Sequence, residues 1–168
     1  MSNNPKWSLW DTQKPTREAA DQLGNKYLIG NGFVGVRGTL DEYGQAEKVA
    51  CIPSGIYDQH PGKWREPINL PNPLFLQVTA HGKALHAIES STESHLQGLD
   101  FQRGVAHRET KFLADPADPS SCITLKSERF ASMAHGNLLC SKVTISATKD
   151  VEAQIGRASC RERVFVGV

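Results

Sequence analysis

Asp41 and Glu42 are adjacent carboxylates, the residue type that enzymes use in pairs as acid and base, for example to cleave a glycosidic bond. Such a pair works only when the two carboxyl groups are held at a fixed separation across the bond that breaks. Adjacent residues of a loop or strand point in different directions, and so adjacency alone sets no separation. We therefore predict that Asp41 and Glu42 lie in a solvated turn and are not catalytic.

The segment Gly30-Asn31-Gly32-Phe33-Val34-Gly35 formally satisfies the dinucleotide-binding pattern G-x-G-x-x-G. That site also needs a helix to begin at the motif, so that the helix N-terminus faces the pyrophosphate. The chain instead continues Val36-Arg37-Gly38-Thr39, with another glycine and two β-branched residues, which disfavours a helix. We predict a tightly packed strand pair without a cofactor, in which a side chain at Gly35 or Gly38 would be crowded.

Other residues with chemical potential show no spacing that builds a site. The sequence has no phosphate-binding loop, no G-x-S-x-G and no H-E-x-x-H, and its four cysteines form no C-x-x-C pair and are predicted to be free thiols. Tryptophans can stack on sugar rings, but packing is their commoner fate and is favoured here. We therefore predict no catalytic, cofactor-binding or metal-binding residue. The cysteines are Cys51, Cys122, Cys140 and Cys160, the histidines are His60, His81, His86, His95, His107 and His135, and the tryptophans are Trp7, Trp10 and Trp64.

Period-two alternation of apolar and polar residues dominates the chain and predicts half-buried strands. Leu74 to Ala80 alternate, His81-Gly82 marks a turn, and Lys83 to Ile88 returns, which is typical of a hairpin. Ile123 to Leu125 and Leu139 to Thr148 alternate in the same way and predict antiparallel strands with one wet face.

One helix signal stands out against these strands. Pro15-Thr16 precedes Arg17 to Leu23, and Gly24-Asn25 supplies a predicted C-cap. Strands separated by turn residues, with almost no helices between them, favour a sandwich over an alternating α/β fold. The sequence therefore predicts a mainly β fold, an antiparallel β-sandwich with one short helix.

Charge and composition limit the partners. The formal net charge is +1 and the basic residues are scattered, which gives no reason to expect nucleic acid or a membrane as a partner. The segment Met1 to Trp7 lacks the apolar region of a signal peptide, and no apolar run approaches the length that spans a bilayer. We expect a cytoplasmic location.

Five segments in order resemble glycoside hydrolase family 65. Gly30-Asn31-Gly32-Phe33-Val34-Gly35-Val36-Arg37-Gly38 is similar to the family's G-N-G-[YF]-x-G-x-R-G signature, within the wider match of residues 25–42. The further matching segments are Ser54 to Asp58, Arg65 to Leu74, Leu99 to Gly104 and Arg129 to Met133. Five elements in the family order are hard to obtain by chance.

This resemblance implies a fold, an activity and partners. The family comprises inverting phosphorylases of α-linked glucose disaccharides, with some related hydrolases, in which a β-sandwich of the super-sandwich type precedes an (α/α)6 barrel. The general acid and the phosphate site lie in that barrel, and so no catalytic residue carries over and the chain as given is expected to be inactive. The sandwich would buttress the missing barrel and help form a homodimer, and the parent would bind the disaccharide and phosphate without a cofactor. Asn31, Arg37, Asn69 and Asn72 are the predicted interdomain contacts.

The resemblance also implies a boundary inside the chain. Residues 1–154 are predicted to be the N-terminal sandwich domain. Residues 155–168, which begin Ile155-Gly156-Arg157-Ala158-Ser159-Cys160, resemble the translation of a sequencing-library adapter and are predicted to be a non-native tail. Two alternatives to a truncated phosphorylase stay open: a stand-alone carbohydrate-binding or interaction sandwich, and a piece of a family 65 hydrolase.

Overall fold

The computed structural model describes residues 6–44, 46–59, 61–62, 64–115 and 117–157. Thirteen strands and one helix occur in this part of the chain. In order they are β1 (Ser8–Asp11), α1 (Arg17–Lys26), β2 (Ile29–Gly30), β3 (Val34–Val36), β4 (Cys51–Pro53), β5 (Tyr57–Gln59), β6 (Arg65–Pro67), β7 (Leu76–Ala80), β8 (Lys83–Ala84), β9 (Thr92–Asp100), β10 (Val105–Asp115), β11 (Asp118–Ala131), β12 (Leu139–Ala147) and β13 (Ala153–Arg157).

A five-stranded antiparallel sheet forms the centre of the fold, in the order β1-β9-β10-β11-β12. Three smaller sheets accompany it, with the orders β13-β7-β8, β2-β3-β4 and β5-β6. Every strand pair is antiparallel. The predicted mainly β, antiparallel sandwich with one helix is therefore confirmed for the described residues.

The core lies between the five-stranded sheet and the smaller sheets. One apolar cluster joins α1 and the β2-β3-β4 sheet to Leu99 and Ala106, and a second joins β7 to Phe112, Ile123 and Leu125. All five of these sheet residues point to the same face, because they alternate along β9, β10 and β11 and pair in register. Between the two clusters, that face carries polar side chains.

The helix begins as predicted but ends later. Thr16 caps it, because its hydroxyl accepts a hydrogen bond from the Ala19 amide at 3.1 Å. The predicted stop at Gly24-Asn25 is wrong, since the helix continues to Lys26. The Arg37 side chain packs against Gly24 and donates hydrogen bonds to the Asp21 carbonyl and the Asn25 side chain, and these contacts hold the last turn in helical form.

The predicted hairpin around His81-Gly82 is confirmed. Both residues have positive φ, 47° and 73°, as the two-residue turn between β7 and β8 requires. The returning strand is shorter than predicted, because only Lys83 and Ala84 pair with β7.

The glycine-rich motif forms a strand pair rather than a strand followed by a helix. β2 and β3 pair through Ile29 with Val36 and Gly30 with Gly35. A Cβ at Gly38 would lie 2.2 Å from the Tyr27 carbonyl oxygen, which confirms the predicted crowding there. The same prediction for Gly35 is wrong, because a Cβ at that position would meet no described atom within 4 Å.

The last described strand crosses the predicted boundary at residue 154. Ile155 pairs with Val78 and Gly156 with Gln77, and so part of the predicted tail extends the β13-β7-β8 sheet. Backbone pairing accepts almost any side chain, and Ile155 is exposed. The pairing of this strand therefore does not test whether residues 155–168 are native, and their non-native origin stays a prediction. Residues 158–168 lie outside the described part of the chain.

Candidate functional site

Asp41 and Glu42 lie in a turn, as predicted, but they are buried, and so the predicted solvation is wrong. Their exposed fractions are 1% and 7%, and both carboxylates converge on the guanidinium of Arg108. Asp41 Oδ2 lies 2.9 Å from Arg108 Nη1 and Glu42 Oε1 lies 3.1 Å from Nη2, while Glu42 Oε2 contacts Nη1 directly. The carboxylates of these neighbours therefore point to one place, which adjacency in sequence did not reveal.

A second arginine and a hydroxyl complete this ion cluster, which we define as Asp41, Glu42, Arg108, Ser127 and Arg129. Ser127 Oγ donates to Asp41 Oδ2 at 2.9 Å, and Arg129 Nε lies 3.6 Å from Asp41 Oδ1. Two carboxylates thus face two guanidinium groups, and their formal charges cancel. Desolvation alone would raise the pKa of Asp41, but Arg129 and Arg108 outweigh it and hold that pKa below its ordinary value.

The ion cluster connects neighbouring segments of the fold and is not an acid–base pair. Arg129 Nη2 also donates to the Thr39 carbonyl at 2.7 Å, and Glu42 Oε1 accepts from the Ala87 amide at 2.7 Å. The first bond holds the segment after β3 on the polar centre of the five-stranded sheet, and the second ties that segment to the one after β8. Because Asp41 stays ionised against its arginines, it has no proton to donate to a leaving group at neutral pH.

A buried histidine borders the ion cluster. His95 Nδ1 lies 2.9 Å from Thr110 Oγ1, which also accepts a hydrogen bond from Arg108 Nε. Burial, and then the Arg108 cation, lowers the pKa of His95 to about 4. The imidazole is therefore neutral at pH 7 in the folded domain.

We predict that this histidine makes the fold acid-sensitive. Between pH 6.5 and about 4 the unfolded chain binds a proton at His95 that the folded domain does not bind, and so the free energy of unfolding decreases as the pH falls through that window. The loss at pH 4.5 is about 2–3 kcal/mol. Urea unfolding at pH 7.5 and 4.5 measures it in the wild type and in His95→Gln, with exposed His135→Gln as control. Equal pH dependence in all three proteins would contradict the assignment to His95.

Asn31, a predicted interdomain contact, bonds within the domain. Its Nδ2 donates to the carbonyl oxygens of Ser132 at 2.7 Å and Gly136 at 2.9 Å. Its Oδ1 accepts from the amides of Phe33 and Val34 at 3.0 and 3.1 Å. Asn31 therefore fixes the β2–β3 turn to the turn that joins β11 to β12.

Arg37, the second predicted contact, also binds its own domain. Its Nε donates to Asn25 Oδ1 at 3.0 Å and its Nη1 to the Lys48 carbonyl at 2.6 Å, besides the bond to the Asp21 carbonyl. The guanidinium thus joins the end of α1 to the segment that leads into β4.

Asn69 and Asn72 tie loops together in the same manner. Each side chain accepts a hydrogen bond from one backbone amide and donates one to a backbone carbonyl. The partners are the Cys51 amide at 2.8 Å and the Val49 carbonyl at 3.1 Å for Asn69, and the Leu74 amide at 3.0 Å and the Tyr43 carbonyl at 3.1 Å for Asn72. A role of these four residues between domains stays a prediction.

One end of the five-stranded sheet gathers exposed apolar side chains. The start of β1, the β9–β10 turn and the β11–β12 turn all lie at this end, as the pairings of Ser8 with Asp100 and Ala131 with Leu139 require. Asn31 adds the β2–β3 turn through its bonds to the β11–β12 turn. We call this surface the apolar end; its large side chains, exposed by 38% to 82%, are Trp7, Phe33, Phe101, Phe130, Met133 and Leu138.

The remaining candidate residues are dispersed. In the described part of the chain, no group of three or more His, Cys, Asp or Glu residues could hold a metal ion, and Cys51, Cys122 and Cys140 are free thiols as predicted. Trp10 packs on Gly98 and against His107, whereas Trp64 is exposed. Among the same residues no helix is long and apolar enough to cross a bilayer.

The chain is similar to known proteins over most of its length. Residues 13–159 match the model of the glycosyl hydrolase family 65 N-terminal domain. Nigerose phosphorylase of Lachnoclostridium phytofermentans is 34% identical over 87% of the chain, and 1,2-alpha-glucosylglycerol phosphorylase of Bacillus selenitireducens is 32% identical over 86%. The chain spans 19% of the length of each of these relatives.

A solved structure supports the same fold. A protein assigned as a kojibiose phosphorylase from the human microbiome superposes with a TM-score of 0.78 over 89% of this chain and 21% of that one, at 15% sequence identity. Likeness at that identity shows the fold alone, whereas the family match rests on the sequence. The chain belongs to glycosyl hydrolase family 65 and represents its N-terminal domain.

Proposed function

We propose that this chain is the non-catalytic N-terminal domain of an inverting α-glucoside phosphorylase, and that it docks on the catalytic part of the same enzyme. The length of its relatives supports the proposal, because the chain spans about a fifth of proteins that are themselves phosphorylases. The proposed partner is an (α/α)6 barrel, the parent works as a cytoplasmic homodimer, and the barrel binds phosphate and an α-glucose disaccharide.

The apolar end is the observation that carries this proposal. Single exposed apolar residues are ordinary on a protein surface, but a contiguous group of large ones is typical of an interaction site. Here six large exposed side chains from four separate segments lie at one end of the five-stranded sheet. Burying them against a second domain would remove apolar surface from water at about 25 cal/mol per Å².

The polar residues support a docking role indirectly. Asn31 holds the β2–β3 turn, with Phe33 at its tip, against the turn that carries Met133 and Leu138. Gly136 is part of this arrangement, since a Cβ there would lie 2.4 Å from the Phe33 ring. We propose that Asn31 shapes the docking surface, and that Arg37, Asn69 and Asn72 hold the segments behind it.

The proposal is tested by recovering the reading frame beyond residue 154 from the source DNA and expressing the longer protein. We expect phosphate-dependent release of glucose 1-phosphate from an α-glucoside. Release of free glucose without phosphate would identify a family 65 hydrolase instead. A stop codon shortly after residue 154 would overturn the proposal and favour a stand-alone domain.

We predict that the isolated chain self-associates through the apolar end. Met133→Lys with Leu138→Lys should lower the associated fraction in light scattering, because two charges at an apolar contact oppose its desolvation. Ile155→Lys, at an exposed apolar residue of the β13-β7-β8 sheet, serves as the matched control. A wild-type chain that stays monomeric at high concentration would count against a docking surface there.

A further inference from the structure

The face of the five-stranded sheet that points away from the core carries a cavity of about 180 Å³. Its wall includes residues of all five strands, namely Trp10, Leu96, His107, Glu128 and Thr144 in sheet order. One water needs only about 10–15 Å³ of such space, and typical ligand pockets measure about 300–1,000 Å³. The cavity is therefore matched to a small ligand of about one ring.

Two aromatic rings form the floor of this cavity. Gly98 is the cross-strand partner of both Trp10 and His107, and a Cβ at Gly98 would lie 2.3 Å from Trp10 Cε3. The indole therefore lies over the glycine backbone and meets the imidazole, with ring centroids 5.6 Å apart and planes inclined by 33°. The absent side chain allows a continuous aromatic surface to form on the sheet.

Each ring has a buried nitrogen that lacks a hydrogen bond. His107 is only 7% exposed, and neither its Nδ1 nor Trp10 Nε1 has a partner. Glu128 Oε1 is 3.5 Å from His107 Nδ1, which is within ion-pair range but longer than an ordinary hydrogen bond of about 2.7–3.2 Å. Unpaired buried polar atoms cost free energy. Both nitrogens are shielded from solvent, and so a molecule in the cavity meets the two rings rather than these atoms.

The charges around the floor favour a neutral ligand. Lys126 Nζ lies 3.0 Å from Glu109, and Lys142 Nζ lies 3.7 Å from Glu128, and all four residues line the cavity. The two pairs cancel, so that a free anion would meet carboxylates and a cation would meet ammonium groups. A molecule with many hydroxyls can instead accept from the lysines and donate to the carboxylates.

We propose that this cavity binds a neutral pyranose, either a free sugar or one ring of a saccharide. The apolar face of the ring stacks on Trp10 and His107, and its hydroxyls bond to Glu128 and Lys142. The site lies on the face of the sheet rather than at the apolar end, and it does not depend on the docking role proposed above. Such a contact of one small ring gives millimolar affinity.

The test is an NMR titration of the ¹⁵N-labelled 1–168 chain with glucose, with nigerose and with inorganic phosphate. We expect saturable shifts for both sugars at amides around Gly98, His107 and Glu128, and none there for phosphate. Equal affinities indicate recognition of one ring, whereas tighter binding of nigerose indicates that the second ring of a saccharide also contacts the site. Shifts confined to another surface, or none that saturate, would overturn the proposal.

Variants separate recognition from folding. Glu128→Gln should weaken sugar binding about tenfold, because a neutral amide oxygen accepts a weaker hydrogen bond from a sugar hydroxyl than a carboxylate does. Glu89→Gln removes an exposed carboxylate elsewhere and should leave binding unchanged. Trp10→Ala should abolish binding. If that variant fails to fold, Glu128→Gln alone decides, and a Glu128→Gln affinity equal to that of Glu89→Gln would overturn the proposal.

Discussion

Replacing Arg108 with alanine is expected to destabilise the domain by about 3–5 kcal/mol, because breaking a buried ion pair leaves its partner charges uncompensated. Arg108 pairs with both Asp41 and Glu42, all three buried, and no solvent can take over its role. Domains of this kind are stable by only about 5–15 kcal/mol. Urea unfolding should therefore show a large drop in midpoint, and thermal unfolding a decrease of roughly 10 °C.

Two further proteins make this prediction specific to the ion cluster. Arg103→Ala removes an exposed arginine and should change the free energy of unfolding by no more than about 0.5 kcal/mol. Arg108→Met combined with Glu42→Gln removes one cation and one anion together, leaves Asp41 paired with Arg129, and should recover part of the loss. Equal stability of Arg108→Ala and Arg103→Ala would show that the two carboxylates are not buried as described.

Gly38→Ala is expected to cost at least about 3 kcal/mol or to prevent folding, since overpacking penalties rise when backbone rather than a flexible side chain must move. The new Cβ would lie 2.2 Å from the Tyr27 carbonyl oxygen and 2.4 Å from its carbonyl carbon. Tyr27 itself is buried, and Gly38 is tied to α1 by a 2.8 Å hydrogen bond to the Gly24 carbonyl. Neither backbone can withdraw without breaking the core.

Gly35→Ala supplies the matched control within the same motif. A Cβ at Gly35 has no described atom within 4 Å, and so the isolated chain should keep nearly wild-type stability. Yield and urea midpoint of the two variants, measured together, check the contrast. A Gly35→Ala variant as damaged as Gly38→Ala would mean that the β2–β3 pair packs differently from the structure.

Local signals in the sequence predicted the elements whose causes are local. Thr16 caps the helix through an amide only three residues away, and the His81-Gly82 turn is determined by two residues that tolerate positive φ. The end of the helix was mispredicted, because the Arg37 side chain that stabilises its last turn comes from a different segment.

The ion cluster was missed because its partners are distant in sequence. Arg108 is 67 residues from Asp41 and Ser127 is 86 residues from it, so that no local pattern shows the pairing. A usable signal was present in β10 and β11. Arg108 falls between Ala106 and Phe112 at inward positions of the alternation, and an arginine at such a position requires a buried counter-charge.

The sequence indicated that a docking surface exists, but not which residues form the apolar end. The resemblance implied a sandwich that buttresses a partner domain, and a surface that docks on a partner commonly exposes an apolar patch when it is alone. Phe33 and Met133 are a hundred residues apart and meet only because Asn31 bonds to the turn after β11. Long-range hydrogen bonds of this type are set by the folded topology, which the sequence pattern does not display.

The most direct test of the proposed non-catalytic role is release of glucose 1-phosphate by the purified 1–168 chain. The chain is incubated with phosphate and nigerose, kojibiose or 1,2-alpha-glucosylglycerol, the compounds in the names of its relatives. We predict no release above a protein-free blank, because the buried carboxylates are held by arginines and the general acid is proposed to lie in the catalytic domain. Release that scales with protein concentration and survives repurification would contradict the account.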